Sequence, residues 1–116
     1  MSLMYYPKLL PLIDNRMKLI EDYRYKEVLV PVGFETNGAD SPRIFWQIFP
    51  PFAPKFLPAV IVHDYLIKQA TNSEDVIYAN TYFENIMLEI ENSLKTRLIV
   101  RSVKLYWKII RRNNVG

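Results

Sequence analysis

Phe56-Leu57-Pro58-Ala59-Val60-Ile61-Val62-His63-Asp64-Tyr65-Leu66-Ile67-Lys68-Gln69-Ala70, the break Thr71-Asn72-Ser73, and Glu74-Asp75-Val76-Ile77-Tyr78-Ala79-Asn80-Thr81-Tyr82-Phe83-Glu84-Asn85-Ile86-Met87 decide the fold. In the first segment Phe56, Val60, His63, Ile67 and Ala70 recur at steps of 4, 3, 4 and 3, the signature of one helix stripe. Val76, Asn80, Phe83, Met87 and Ile90 repeat that spacing in the second. The spacing predicts helices over 56–70 and 74–91. The break between them is short and rich in capping residues, so the two should fold back as antiparallel neighbours. Each stripe is apolar but for one polar residue near its middle, His63 or Asn80. At a rise of 1.5 Å per residue both stand roughly 13 Å above the turn, level with one another. Two polar groups buried at one height are natural hydrogen-bond partners, and either left alone would cost roughly 1–3 kcal/mol.

Outward from this hairpin, the pattern predicts a third helix over 94–112 and a β region over 17–36. In the β region Tyr23-x-Tyr25 alternates, and Val28-x-Val30-x-Val32-x-Phe34 alternates more cleanly. Pro31 and Gly33 put that second strand at an edge or bend it. Residues 4–16, with Pro7 and Pro11, read as irregular. Asn37-Gly38 signals a turn, and Ser41-Pro42 starts a short helix over 43–49 that ends against Pro50-Pro51. Met1-Ser2-Leu3 ahead of Met4 reads as a remnant of expression and is given no meaning. The expectation is a single α+β domain over 1–116: short N-terminal β-strands, then a helical region over 42–112 built on the antiparallel hairpin and closed by a basic C-terminal helix.

Composition excludes several chemistries. The 116 residues allow one modest core. Zero cysteines exclude disulfides, thiolate metal sites and a cysteine nucleophile, and one histidine excludes a multi-histidine zinc site within the chain. The apolar run Ala59-Val60-Ile61-Val62 is too short to span a bilayer. No basic start with a small-residue cleavage site is present, so the expectation is a protein without a signal peptide.

The net charge of +3 is unevenly spread. Residues 1–93 carry 8 Lys/Arg against 12 Asp/Glu, whereas 94–116 carry 7 Lys/Arg and no acid. Arg97, Arg101, Lys104, Lys108 and Arg111 form a row at steps of 4, 3, 4 and 3, with Ile99, Val103, Tyr106 and Ile110 on another side. That arrangement suits either a docked helix with a solvated charged face or a surface for an anionic partner. No recognised nucleic-acid motif accompanies the row, which leaves nucleic acid the weaker partner and an anionic lipid surface or acidic protein the stronger. The aromatic run Phe45–Phe52 reads as core and rigid turn, or as an apolar lip if it stands beside His63.

Two readings of the polar residues stay open on spacing alone. His63 and Asn80 are either a satisfied core pair or a base held by an orienting oxygen, with the second ring nitrogen left to act. Asp64 lies about 100° further round the helix. It is either a solvated pair with Lys68 or a carboxylate facing the 33–42 loop, where it could hold a hard cation with backbone carbonyls.

Gly33-Phe34-x-Thr36-Asn37-Gly38-Ala39-Asp40-x-Pro42-Arg43, His63-Asp64-Tyr65-Leu66 and Ala79-Asn80-x-x-Phe83 resemble a small phage and prophage family of unknown function, whose pattern is GF-x-TDGAS-x-PR, HD-x-LY and AD-x-x-F. The resemblance covers about residues 17–110. That pattern is in turn similar to the small calcium-dependent secreted phospholipases. The similarity implies His63 as the base that activates water, Asn80 in the place of the aspartate that orients it, and calcium held by Asp64 with carbonyls around Asn37, Gly38 and Ala39. The chain departs from the pattern at Asn37, Asp40, Ile67 and Asn80. Asn80 can accept from the His63 ring but cannot stabilise an imidazolium by charge, a change worth on the order of 10⁴ in rate in a serine-protease triad. Three functions therefore remain. One is a prophage-type protein with a phospholipase-like site whose hydrolysis is weak or lost. Another is a phage structural or assembly component, and the third is a module that binds an anionic membrane or nucleic acid through its last helix. The first two place the protein in the cytoplasm of the producing bacterium, or in a virion.

Overall fold

The computed structural model describes residues 5–12, 16–36 and 54–115, with no account of the side chains of Pro54 and 110–115. Among these residues five short strands come first: β1 (Leu9–Pro11), β2 (Met17–Leu19), β3 (Tyr23–Tyr25), β4 (Val28–Val30) and β5 (Glu35–Thr36). A 3-10 turn, Pro54–Phe56, then leads into α1 (Leu57–Gln69), α2 (Ser73–Ile90) and α3 (Leu94–Val115). The expected α+β order is the one found, and the helix limits agree within one residue except at the C-terminal end of α3.

The β region differs in detail from its pattern. Residues 9–11, expected to be irregular, form β1, antiparallel to β2 with Leu9 opposite Leu19 and Pro11 opposite Met17. Pro11 is tolerated because β1 is an edge strand, where a missing N–H breaks no second ladder. The stretch 28–34 is not one strand. It stops at Val30, and a turn closed by Phe34 N–H donating to the Pro31 carbonyl (3.2 Å) swings the chain across to β5. Gly33 sits in that turn at φ +92°, a backbone region that side chains rarely adopt. Its N–H donates to the Leu19 carbonyl at 2.7 Å and fixes β5 beside β2. The sheet order is β1-β2-β5, with β3-β4 a separate hairpin.

α1 is the centre of the molecule. Every residue from Pro58 to Asp64 is buried, so the helix is covered all round and not along one stripe alone. α2 folds back on it across a tight break. Asn72 caps α2 by accepting from the Asp75 N–H (2.9 Å), while Asp75 accepts from the Thr71 N–H and hydroxyl (both 3.0 Å). The β3-β4 hairpin docks on α2 through tyrosines. Tyr25 donates to Glu89 (2.8 Å), Tyr82 donates to Glu27, and the Tyr25 and Tyr82 rings meet edge-on at 6.1 Å. α3 lies against α2 and buries Ile99, Val100, Val103 and Trp107.

Candidate functional site

His63 comes from the middle of α1 and Asn80 from the middle of α2, and their side chains meet. His63 Nε2 lies 2.8 Å from Asn80 Oδ1. A carboxamide oxygen only accepts, so Nε2 is the donor, and in the neutral ring Nδ1 then carries the lone pair. The ring packs against Phe83 (centroids 4.9 Å apart) and Trp107 (6.2 Å) and is only 5% exposed. Burial disfavours the charged form and lowers its pKa to about 4, against a smaller upward pull from Asn80. At neutral pH this histidine is therefore an uncharged base held by one nitrogen.

Asp64 is not on a solvated face. It is 2% exposed, with Lys68 Nζ 3.5 Å from Oδ2. Lys68 also donates to the Glu35 carbonyl of β5 (3.1 Å) and stands over the Phe34 ring at 5.1 Å. The lysine thus ties α1 to the three-stranded sheet and keeps Asp64 on the side of α1 that faces residues 34–36. The solvated ion pair fails because α1 is enclosed on all sides over its first two turns.

The remaining candidates are dispersed. Asn37, Gly38 and Ala39, the carbonyls expected around a cation, lie outside the described residues, as do the 43–49 helix and the Phe45–Phe52 aromatic run. Among the described residues no three His, Asp or Glu side chains gather as a metal site. Arg97, Arg101, Lys104 and Lys108 are exposed on α3, whereas the side chain of Arg111 is outside the described set. Two of these cations are already engaged, Arg97 with Asn92 (2.9 Å) and Lys104 with Glu84 (2.7 Å).

Trp107 was not among the expected residues, yet it touches the histidine. Its signal was present: Val100, Val103 and Trp107 follow the helical period and share a face with Ile99. The indole N–H is buried and has no hydrogen-bond acceptor among the described residues. Asn80 and Trp107 also line a cleft of about 650 Å³ between α2 and α3.

Fold and site together define an α+β protein with a neutral, internally held histidine at a helix-hairpin crossing. A family model described as "Protein of unknown function (DUF1353)" matches residues 14–102, and the chain belongs to that family. Neither a curated protein nor a solved structure matches it. Among the described residues, no helix is long and apolar enough to cross a membrane.

Proposed function

We propose that this chain is a phage- or prophage-type protein built round a phospholipase-like helical core, its hydrolytic activity weak or lost. The observation that supports this reading is the 2.8 Å bond from His63 Nε2 to Asn80 Oδ1. It presents Nδ1 as the basic nitrogen of an uncharged ring, the state a water-activating base requires. Asn80 accounts for the weakness, because an amide orients the ring without stabilising the imidazolium formed when water gives up its proton.

Calcium belongs to this reading as a second element. Asp64 supplies a hard oxygen ligand of the right kind, and the carbonyls of Asn37, Gly38 and Ala39 would complete the set. Bound there, calcium would polarise an ester carbonyl. It would share the Asp64 carboxylate with Lys68, so binding should be weak.

The test is esterase activity on a short-chain phospholipid, with and without calcium. A trace activity is expected that His63→Ala abolishes and Asn80→Asp raises, together with a calcium-dependent rise in Tm that Asp64→Ala removes. No gain in Asn80→Asp and no calcium response would overturn the hydrolase reading.

The burial of His63 between Phe83 and Trp107 favours a second reading, in which the pair is architectural in a phage structural or assembly protein. The pair would then fix the register of two helices whose other contacts are apolar. That reading expects His63→Gln, which keeps a donor toward Asn80, to retain association with a phage partner while the double change His63→Phe/Asn80→Leu loosens it. The basic row of α3 marks where an acidic partner or anionic lipid surface would be met.

A further inference from the structure

The cleft between α2 and α3 offers hydrogen-bond donors and cations and, among the described residues, no acid. Its apolar walls are Val76, Ile77 and Trp107, and its polar groups include Asn80, Lys104 and Lys108. Among the described residues no Asp or Glu side chain lines it. Asn80 spends its oxygen on His63, so what it can still present to the cleft it lines is its amide N–H₂. The Trp107 N–H is buried and has no acceptor among the described residues, in a side chain 9% exposed. Lys104 is shared with Glu84, whereas Lys108 pairs with no acid among the described residues. A buried donor without an acceptor, as on Trp107, costs free energy, and a ligand oxygen would recover it. A volume of about 650 Å³ suits a small ligand with an apolar body.

From this complementarity we infer that the α2–α3 cleft binds a single-chain amphiphile with an anionic oxygen head, a carboxylate or a phosphate. The chain lies along Val76, Ile77 and the Trp107 ring. The head takes the Lys108 ammonium and the Asn80 amide. An asparagine is the residue that serves both sides here, accepting from the histidine and donating to the ligand, whereas an aspartate would repel an anionic head. Binding does not require hydrolysis or calcium, so it goes beyond the function proposed above and stands or falls separately.

The experiment titrates the full chain, carrying Trp46→Phe so that emission reports Trp107, in calcium-free buffer at pH 8. Dodecanoate and dodecyl phosphate are compared with dodecanol, each below its micelle concentration. At least one of the two anions should bind saturably, and the stronger identifies the head. Dodecanol should bind about tenfold more weakly or worse, and Lys108→Ala, at an exposed position, should weaken anion binding about tenfold. Asn80→Asp should weaken it at least as much, with Tm measured alongside to show that the variant is folded. Equal affinity for dodecanol, unchanged affinity in Lys108→Ala, or no saturable binding of either anion would overturn the inference.

Discussion

His63 carries a consequence that follows from its burial alone. In the unfolded chain it titrates near its ordinary value of 6.5, whereas in the folded protein desolvation holds it down to about 4. Above pH 6.5 both states hold a neutral ring and nothing is lost. Between 6.5 and 4 the unfolded chain takes up a proton that the folded one refuses, so stability falls, by up to roughly 3 kcal/mol. The expected outcome is a Tm that declines through this window in wild type and much less in His63→Gln, which has no titrating ring but keeps a donor toward Asn80. An NMR titration that found the ring protonated near pH 6.5 in the folded protein would contradict it. His63→Leu should be worse than His63→Gln by roughly 1–3 kcal/mol at pH 7, because it leaves the Asn80 oxygen buried without its donor. Urea melts of the two variants check the difference.

At the scale of elements, the hairpin that brings His63 to Asn80 depends on the three-residue break before α2. Asn72 and Asp75 there satisfy each other's turn, so Asn72→Ala should cost about 1 kcal/mol with the rest of the core unchanged. Urea denaturation measures it, and a loss within error would show that tertiary packing alone sets the turn. This break and the level pairing across it were legible in the sequence, because helical spacing and rise fix where residues on two antiparallel helices meet. Other features were not legible, for particular reasons. Leu9–Pro11 carries no alternation and a proline, and becomes a strand only because Met17–Leu19 lies beside it. The alternation from Val28 to Phe34 continues straight through a turn, since Gly33 interrupts the backbone without interrupting the apolar pattern. The i,i+4 lysine leaves Asp64 open between a solvated pair and a carboxylate facing the 33–42 loop, and its burial follows from elements covering α1 on every side. Trp107 sits in a helix whose many charges mark the exposed face more plainly than the docked one. Its contact with His63 is a tertiary fact that no local spacing contains.

Across the whole molecule, one carboxylate ties three helical elements together. Glu91, between α2 and α3, pairs with Lys55 of the 3-10 turn that precedes α1. It also accepts from the Ser93 hydroxyl (2.6 Å) and the Thr96 hydroxyl (3.2 Å), the residues that start α3. Lys55 first, then Ser93, lower its pKa to about 2. A depressed carboxylate contributes stability that is present above its unfolded value of 4.5 and is lost as pH falls toward 2. This second acid step overlaps the His63 window only between 4.5 and 4 and has a different structural origin. Lys55→Met removes the main cause of the depression, so its Glu91 should titrate closer to 4.5 and the lower step should shrink. Glu91→Gln should remove that step at every pH while leaving the decline between 6.5 and 4 in place. The measurement is Tm against pH from 7 to 2 for wild type and both variants. If the lower step survives in Glu91→Gln, the acid lability belongs to other carboxylates and the junction is held by packing, with the buried Ile86 and Ile99 carrying what the ion pair does not.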